Sequence, residues 1–132
     1  MESVSITVPA EPAYIRVVRL VAAGLASRLG FTIDQMDDLK IAVDELAAYL
    51  TGPKGREGDL EVSFAVHDDR IEITGSAHFS HAQHVRTELT ELSRRILDTV
   101  ADSASLEHAD GGARFHLVKQ QSAGPYDGDL GP

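Results

Sequence analysis

The stretch Thr32 to Leu50, TIDQMDDLKIAVDELAAYL, constrains this chain more than any other. Met36, Leu39, Val43, Leu46 and Leu50 recur at spacings that only an α-helix turns onto one side. Thr32 is a good N-cap, and the position of Gln35 after it completes the signature of a capping box. Asp34, Asp37 and Asp38 suit the positive end of the helix dipole. Gly52-Pro53 ends the helix. A second stripe, Asp38, Ile41, Glu45 and Tyr49, runs beside the apolar one and sets the Glu45 carboxylate on its rim. A helix with one apolar face must bury it against another layer, so the rest of the chain has to supply that layer.

The flanking segments supply it. Ser3 to Val8 alternates polar and apolar residues and predicts a half-buried strand. Glu11-Pro12 opens a helix over Ala13 to Leu29, with Ile15, Val18, Ala22, Leu25 and Leu29 inward and Gly30 as its stop. After a polar turn, Leu60 to Val66 and Arg70 to Thr74 read as a hairpin. Gly75 to Gln83 reads as irregular. A third helix is expected over about Ala82 to Asp102, burying Val85, Leu89, Leu92, Ile96 and Val100. Ser103 to His108 and Ala113 to Gln120 form a second hairpin around Asp110-Gly111-Gly112. Five strands and three long helices in this order predict an α+β fold. It would be a two-layer sandwich, a mostly antiparallel mixed sheet with helices on one face. Residues 1–120 are expected to form a single domain. Residues 121–132, rich in Gly, Pro and Asp, are expected to be a disordered tail.

Composition removes several classes of function. At 132 residues the chain is of single-domain size, and 42% hydrophobic content fits a globular core. The absence of cysteine excludes disulfides, thiol catalysis and thiolate metal sites. The 12 Lys and Arg are scattered among 21 Asp and Glu, for a net charge of −9, which argues against nucleic acid as a partner. A basic protein partner fits that field better. The N-terminus lacks the regions of a signal peptide, and no apolar run approaches the ~20 residues that span a bilayer. The expectation is a soluble cytoplasmic protein with no membrane partner.

Three groups of side chains invite chemistry. Glu45 reads either as an ordinary surface acid or as a general base with a raised pKa. His78, His81 and His84 read either as a solvated loop or as ligands of a metal-gated regulator. Arg16 and Arg19 share a flank of the first helix with Ala23. They read either as solvated cover for that flank or as a contact surface for a partner's carboxylates. No nucleophile elbow, Walker loop or dinucleotide fingerprint occurs. On chemistry alone the sequence declares no catalytic residue, no cofactor and no metal site.

The stretch DDLKIAVDELAAYL resembles the central helix of the RsbW/SpoIIAB-type anti-sigma factors and serine kinases, a family with the GHKL ATPase-like fold. The stretch ELSRRILDTVADSASLEHADGGARFHLVK is similar to the family's last helix and final hairpin. The resemblance covers about Ser3 to Gln120, and helices of the DDLRLAVDEL type are typical of actinobacterial members. It implies that Glu45 matches the Glu that kinase members use as a base on the serine of an antagonist protein. The Mg-holding Asn would fall at Tyr49. The Asp that receives the adenine amino group would fall at Gly75, with the following glycines near Ala77 and Phe79. The glycine-rich lid ahead of the last helix is missing. Arg19, or Arg16 if the alignment slips, matches a first-helix arginine that touches both sigma factor and antagonist.

The resemblance therefore implies a degenerate anti-sigma factor that sequesters a sigma factor by binding and is released by a STAS-type anti-anti-sigma protein. Arg16, Arg19, Ala23 and Glu45 would form the partner-binding set, and a homodimer is implied. The alternatives are an active serine kinase using ATP and Mg²⁺ with Glu45 as base, and a dimeric regulator gated by a ligand or metal.

Overall fold

A computed structural model of the protein describes residues 1–109 and 112–121. Residues 110, 111 and 122–132 lie outside the described residues, and with them the centre of the expected Asp-Gly-Gly turn and nearly all of the expected tail. The elements are β1 (Glu2–Pro9), a 3₁₀ turn (Pro12–Tyr14), α1 (Ile15–Leu29), α2 (Ile33–Thr51), β2 (Gly58–Val66), β3 (Arg70–Phe79), α3 (Glu91–Val100), β4 (Ser103–Ala109) and β5 (Gly112–Gln120). The strands form one sheet in the order β1-β2-β3-β5-β4. The α+β sandwich is as expected. Every ladder is antiparallel, with no parallel pair among the described residues.

Strand periodicity explains how the layers meet. Leu60, Val62 and Phe64 of β2, Ile71, Ile73 and Ala77 of β3, and Ala113, Phe115 and Leu117 of β5 are all buried on one face. Val18, Ala22 and Ala26 of α1 and Leu39, Val43, Leu46 and Leu50 of α2 close over them. The other face is polar. There Ser5 meets Ser63, and Glu72 gathers Arg70 Nε at 3.2 Å, His67 Nε2 at 3.0 Å and His116 Nε2 at 3.4 Å. Burial pushes the Glu72 carboxyl up, but the bonds from Arg70 and His116 and the Arg70 charge outweigh it and leave the group below its ordinary pKa.

The local signals in α2 act as written. Gln35 N–H donates to Thr32 Oγ1 at 3.1 Å, and Thr32 N–H donates to Gln35 Oε1 at 2.9 Å. Gly30 closes α1 in the left-handed conformation (φ 87°), where a glycine has no Cβ penalty.

Two expectations need correction. β3 runs on to Phe79, because Gly75 to Phe79 continues to pair with β2 down to Gly58. The stretch from Gly75 is therefore strand before it is loop. The third helix begins at Glu91, not near Ala82, because Thr90 caps it: Ser93 N–H donates to Thr90 Oγ1 at 3.0 Å. Val85 is buried and Leu89 half-buried, but both get there from non-helical chain. The helix phase set at Glu91 turns Ser93, Leu97 and Val100 inward and leaves Leu92 68% exposed, so Leu92 is not a core residue.

Candidate functional site

α2 carries two adjacent carboxylates that serve different neighbours. Glu45 turns toward α3. Its Oε2 accepts a hydrogen bond from Ser93 Oγ at 2.7 Å. Tyr49, one turn along α2, donates from its hydroxyl to Ser93 Oγ at 2.8 Å. Thr90 Oγ1 also donates to Ser93 Oγ at 3.0 Å, while Thr90 N–H donates to the Tyr49 oxygen at 3.0 Å. Ser93 thus collects two donors and passes its own proton toward Glu45. Burial pushes the Tyr49 phenol up, yet the bonds to Ser93 and Thr90 and the Arg86 charge outweigh it and leave the phenol below its ordinary pKa. A carboxylate held this way has its donor supplied from inside the chain.

Gly75 and Phe79, which the resemblance matches to the nucleotide motif, pack against other side chains. Gly75, buried in β3, packs on the ring of Phe115, and a Cβ added there would collide with that ring. Ala77 is buried, and Phe79 is half-buried with the Arg56 guanidinium 5.8 Å from its ring centre. Arg56 also fastens the chain between β3 and α3. Its Nε donates to the Leu50 carbonyl at 3.0 Å, and its Nη1 reaches Gln83 Oε1 and the His84 carbonyl at 3.4 Å. With Val85 buried and Thr90 N–H bonded to Tyr49, this segment is anchored at several points along its length.

The other side of α2 faces α1. Arg19 Nη1 donates to Asp44 Oδ2 at 2.8 Å. Arg16 is exposed and makes no ion pair among the described residues. Pro12, Ala13, Ile15, Arg16, Arg19 and Asp44 line a shallow cavity of about 520 Å³. Ala23 lies half-buried, one turn along α1 from Arg19. Of the four residues singled out from sequence, Arg16, Arg19 and Ala23 therefore share α1, whereas the Glu45 carboxylate is turned to α3. The three histidines do not converge. His78 faces Glu61 at 3.5 Å, His81 faces Glu57 at 3.4 Å, and His84 is exposed. Among the described residues no group of His, Asp and Glu is placed to hold a metal.

Known proteins fix the family. "Serine-protein kinase RsbW" of Bacillus pumilus is 30% identical over 140 residues, spanning 90% of this chain and 86% of that protein. The chain belongs to the RsbW family. The RsbW protein of Bacillus subtilis is 38% identical over 73 residues, and that of Halalkalibacterium halodurans 41% over 73 residues. These two matches take in about half of this chain (53% and 54%) and under half of each relative (46% and 45%). The crystal structure of the RsbU and RsbW domains of Rv1364c from Mycobacterium tuberculosis superposes with a TM-score of 0.66 at 18% identity. It covers 90% of this chain and 32% of that one, and shares the fold. No family model matches the sequence. Among the described residues, no helix of this RsbW-family chain is long and apolar enough to cross a membrane.

The sequence did not disclose two participants. Ser93 stays hidden when the third helix is expected from about Ala82; the Thr90 cap, with Glu91 in the first turn and Ser93 after it, is the local signal that marks it. Nothing local marks Asp44 beside Glu45, because its partner Arg19 comes from another helix.

Proposed function

We propose that this RsbW-family protein is an anti-sigma factor that sequesters a sigma factor by protein–protein binding, has a degenerate ATP site, and is released by a STAS-type anti-anti-sigma protein. One observation carries the loss of nucleotide chemistry: the Phe115 ring fills the space beside Gly75. At that position the family resemblance calls for an Asp that receives adenine, and a Cβ placed there would collide with the Phe115 ring where it stands. Two further features support the same reading. Tyr49 stands where an Asn would hold Mg²⁺, and a phenol is a poor substitute for an amide oxygen beside an ion that prefers carboxylate, carbonyl and water ligands. The Glu45 carboxylate is already bonded to Ser93.

Binding would use the α1 face, with Arg16 and Arg19 set against acidic partner residues and Ala23 permitting close approach. The Glu45 carboxylate, bonded to Ser93 of α3, would stand apart from that surface. The outer edge of β1, unpaired among the described residues, suits a second copy of the chain, giving a homodimer. A sigma factor as partner would place the protein in the cytoplasm.

A second reading, an active ATP- and Mg²⁺-dependent serine kinase with Glu45 as base, is favoured by the retained Glu45 and by a 30% identical relative named as a serine-protein kinase. Calorimetric titration with ATP and Mg²⁺, run beside mixing with purified sigma factors from the same bacterium, separates the two. The binding reading expects no nucleotide heat and one tight sigma complex. Micromolar ATP binding that disappears in Glu45→Ala would replace it with the kinase reading.

A further inference from the structure

The two arginines in the cavity at the start of α1 are in unequal states. Arg19 is held by Asp44 at 2.8 Å, while Arg16 has no ion pair among the described residues. The pair holding Arg19 is poorly completed. Asp44 Oδ2 takes the guanidinium, but Asp44 Oδ1 is shut away from solvent and accepts no hydrogen bond among the described residues. A buried carboxylate oxygen without a donor is costly, so Asp44 stabilises Arg19 at the expense of its own solvation. The pair is also accessible, with 33% of the Arg19 side chain and 42% of the Asp44 side chain exposed. Pro12, Ala13 and Ile15 give the cavity an apolar wall next to the cations.

We propose that Asp44 is an internal stand-in for a carboxylate of the protein partner. The proposal rests on the reading of the α1 face as a contact surface and names the chemistry of what binds there. The occupant is an acidic segment with apolar neighbours. One of its carboxylates meets the free Arg16. A second displaces Asp44 from Arg19, and Asp44 then turns its unsatisfied oxygen out to water. Guanidinium groups bind carboxylates through paired N–H donors, so two of them side by side select an acidic pair over a single charge. Because Asp44 competes for the same cation, it lowers affinity for that segment, much as a minor binding-competent population would.

The sign of one substitution decides the matter. The probe is acetyl-Leu-Glu-Glu-Leu-amide at low salt, with acetyl-Leu-Gln-Gln-Leu-amide as control, read from the arginine Nε–H signals of labelled full-length protein. In the wild type the acidic peptide, and not the control, is expected to move the Arg16 and Arg19 signals. Asp44→Ala should bind it about two- to fivefold tighter, the range of a partly exposed ion pair. Asp44→Ser should do the same, which guards against a fold defect in either variant. Adding Asp44→Ala to Arg19→Ala should give no gain, because the contested cation is gone. Unchanged or weaker binding by both Asp44 variants overturns the proposal, as does a failure of the acidic peptide to move either arginine. If the peptide results hold but no sigma factor binds, the identity of the partner fails and the pocket chemistry stands. If a sigma factor binds and the Asp44 variants gain nothing with the peptide, the stand-in role alone fails.

Discussion

Asp44 and Glu45 are neighbours in the chain and opposites in how they are held. Glu45 sits at the end of a closed set of hydroxyls, where Ser93, Tyr49 and Thr90 satisfy one another. Asp44 has one oxygen on Arg19 and the other with no donor among the described residues. A helix rotates consecutive side chains by about 100°, so one residue step moves a carboxylate from the α3 side to the α1 side. The closed side is built like structure and the open side like a surface that exchanges partners. A completed polar network fixes a unique arrangement, while an incomplete one leaves free energy to be released when a better partner arrives.

The largest expected effect removes the support common to both sides. Leu46 follows the two carboxylates and is fully buried among the core residues. Leu46→Ala should cost about 2–5 kcal/mol, read by chemical denaturation, through lost burial and a cavity. A loss below 1 kcal/mol would mean that α2 is not the element on which both carboxylates depend.

A smaller effect is expected on the closed side. Ser93→Ala takes the donor from Glu45 and the acceptor from Tyr49, and should cost roughly 1–2 kcal/mol in the same measurement. It should also loosen the segment before α3, since Thr90 is tied into the same network, and hydrogen exchange at the Thr90 amide would report this. Retained protection at Thr90 would show that the network is not what fastens the segment.

The smallest effect belongs to the open side. Asp44→Ala loses a partly exposed pair but also removes a buried oxygen without a donor, so its stability should stay within about 0.5 kcal/mol of wild type. A large loss would make Asp44 as structural as Glu45 and erase the contrast.

Local signals carried much of the fold. The apolar spacing of α2, its Thr32–Gln35 capping box and its Gly52 stop operate within a few residues of one another, so they read the same before and after folding. The strand alternation in β1, β2 and β5 is local too. The resemblance to the RsbW family rests on that helix together with the last helix and final hairpin. Where sequence reading failed, local patterns competed. Val85 and Leu89 have helical spacing, but tertiary contacts hold them in non-helical chain, and the cap at Thr90 sets the true start of α3.

The sequence by itself determined which residues could be helix or strand, which of their faces must be buried, and that a carboxylate would stand at the rim of α2. Only the tertiary structure decided what that carboxylate meets. Ser93 reaches Glu45 across 48 residues of chain, Asp44 reaches Arg19 across 25, and Phe115 lies on Gly75 because β3 and β5 are paired neighbours. Backbone periodicity depends on the next few residues and is written locally. The pairing of side chains depends on how the layers dock, and that is settled by the packing of the whole core.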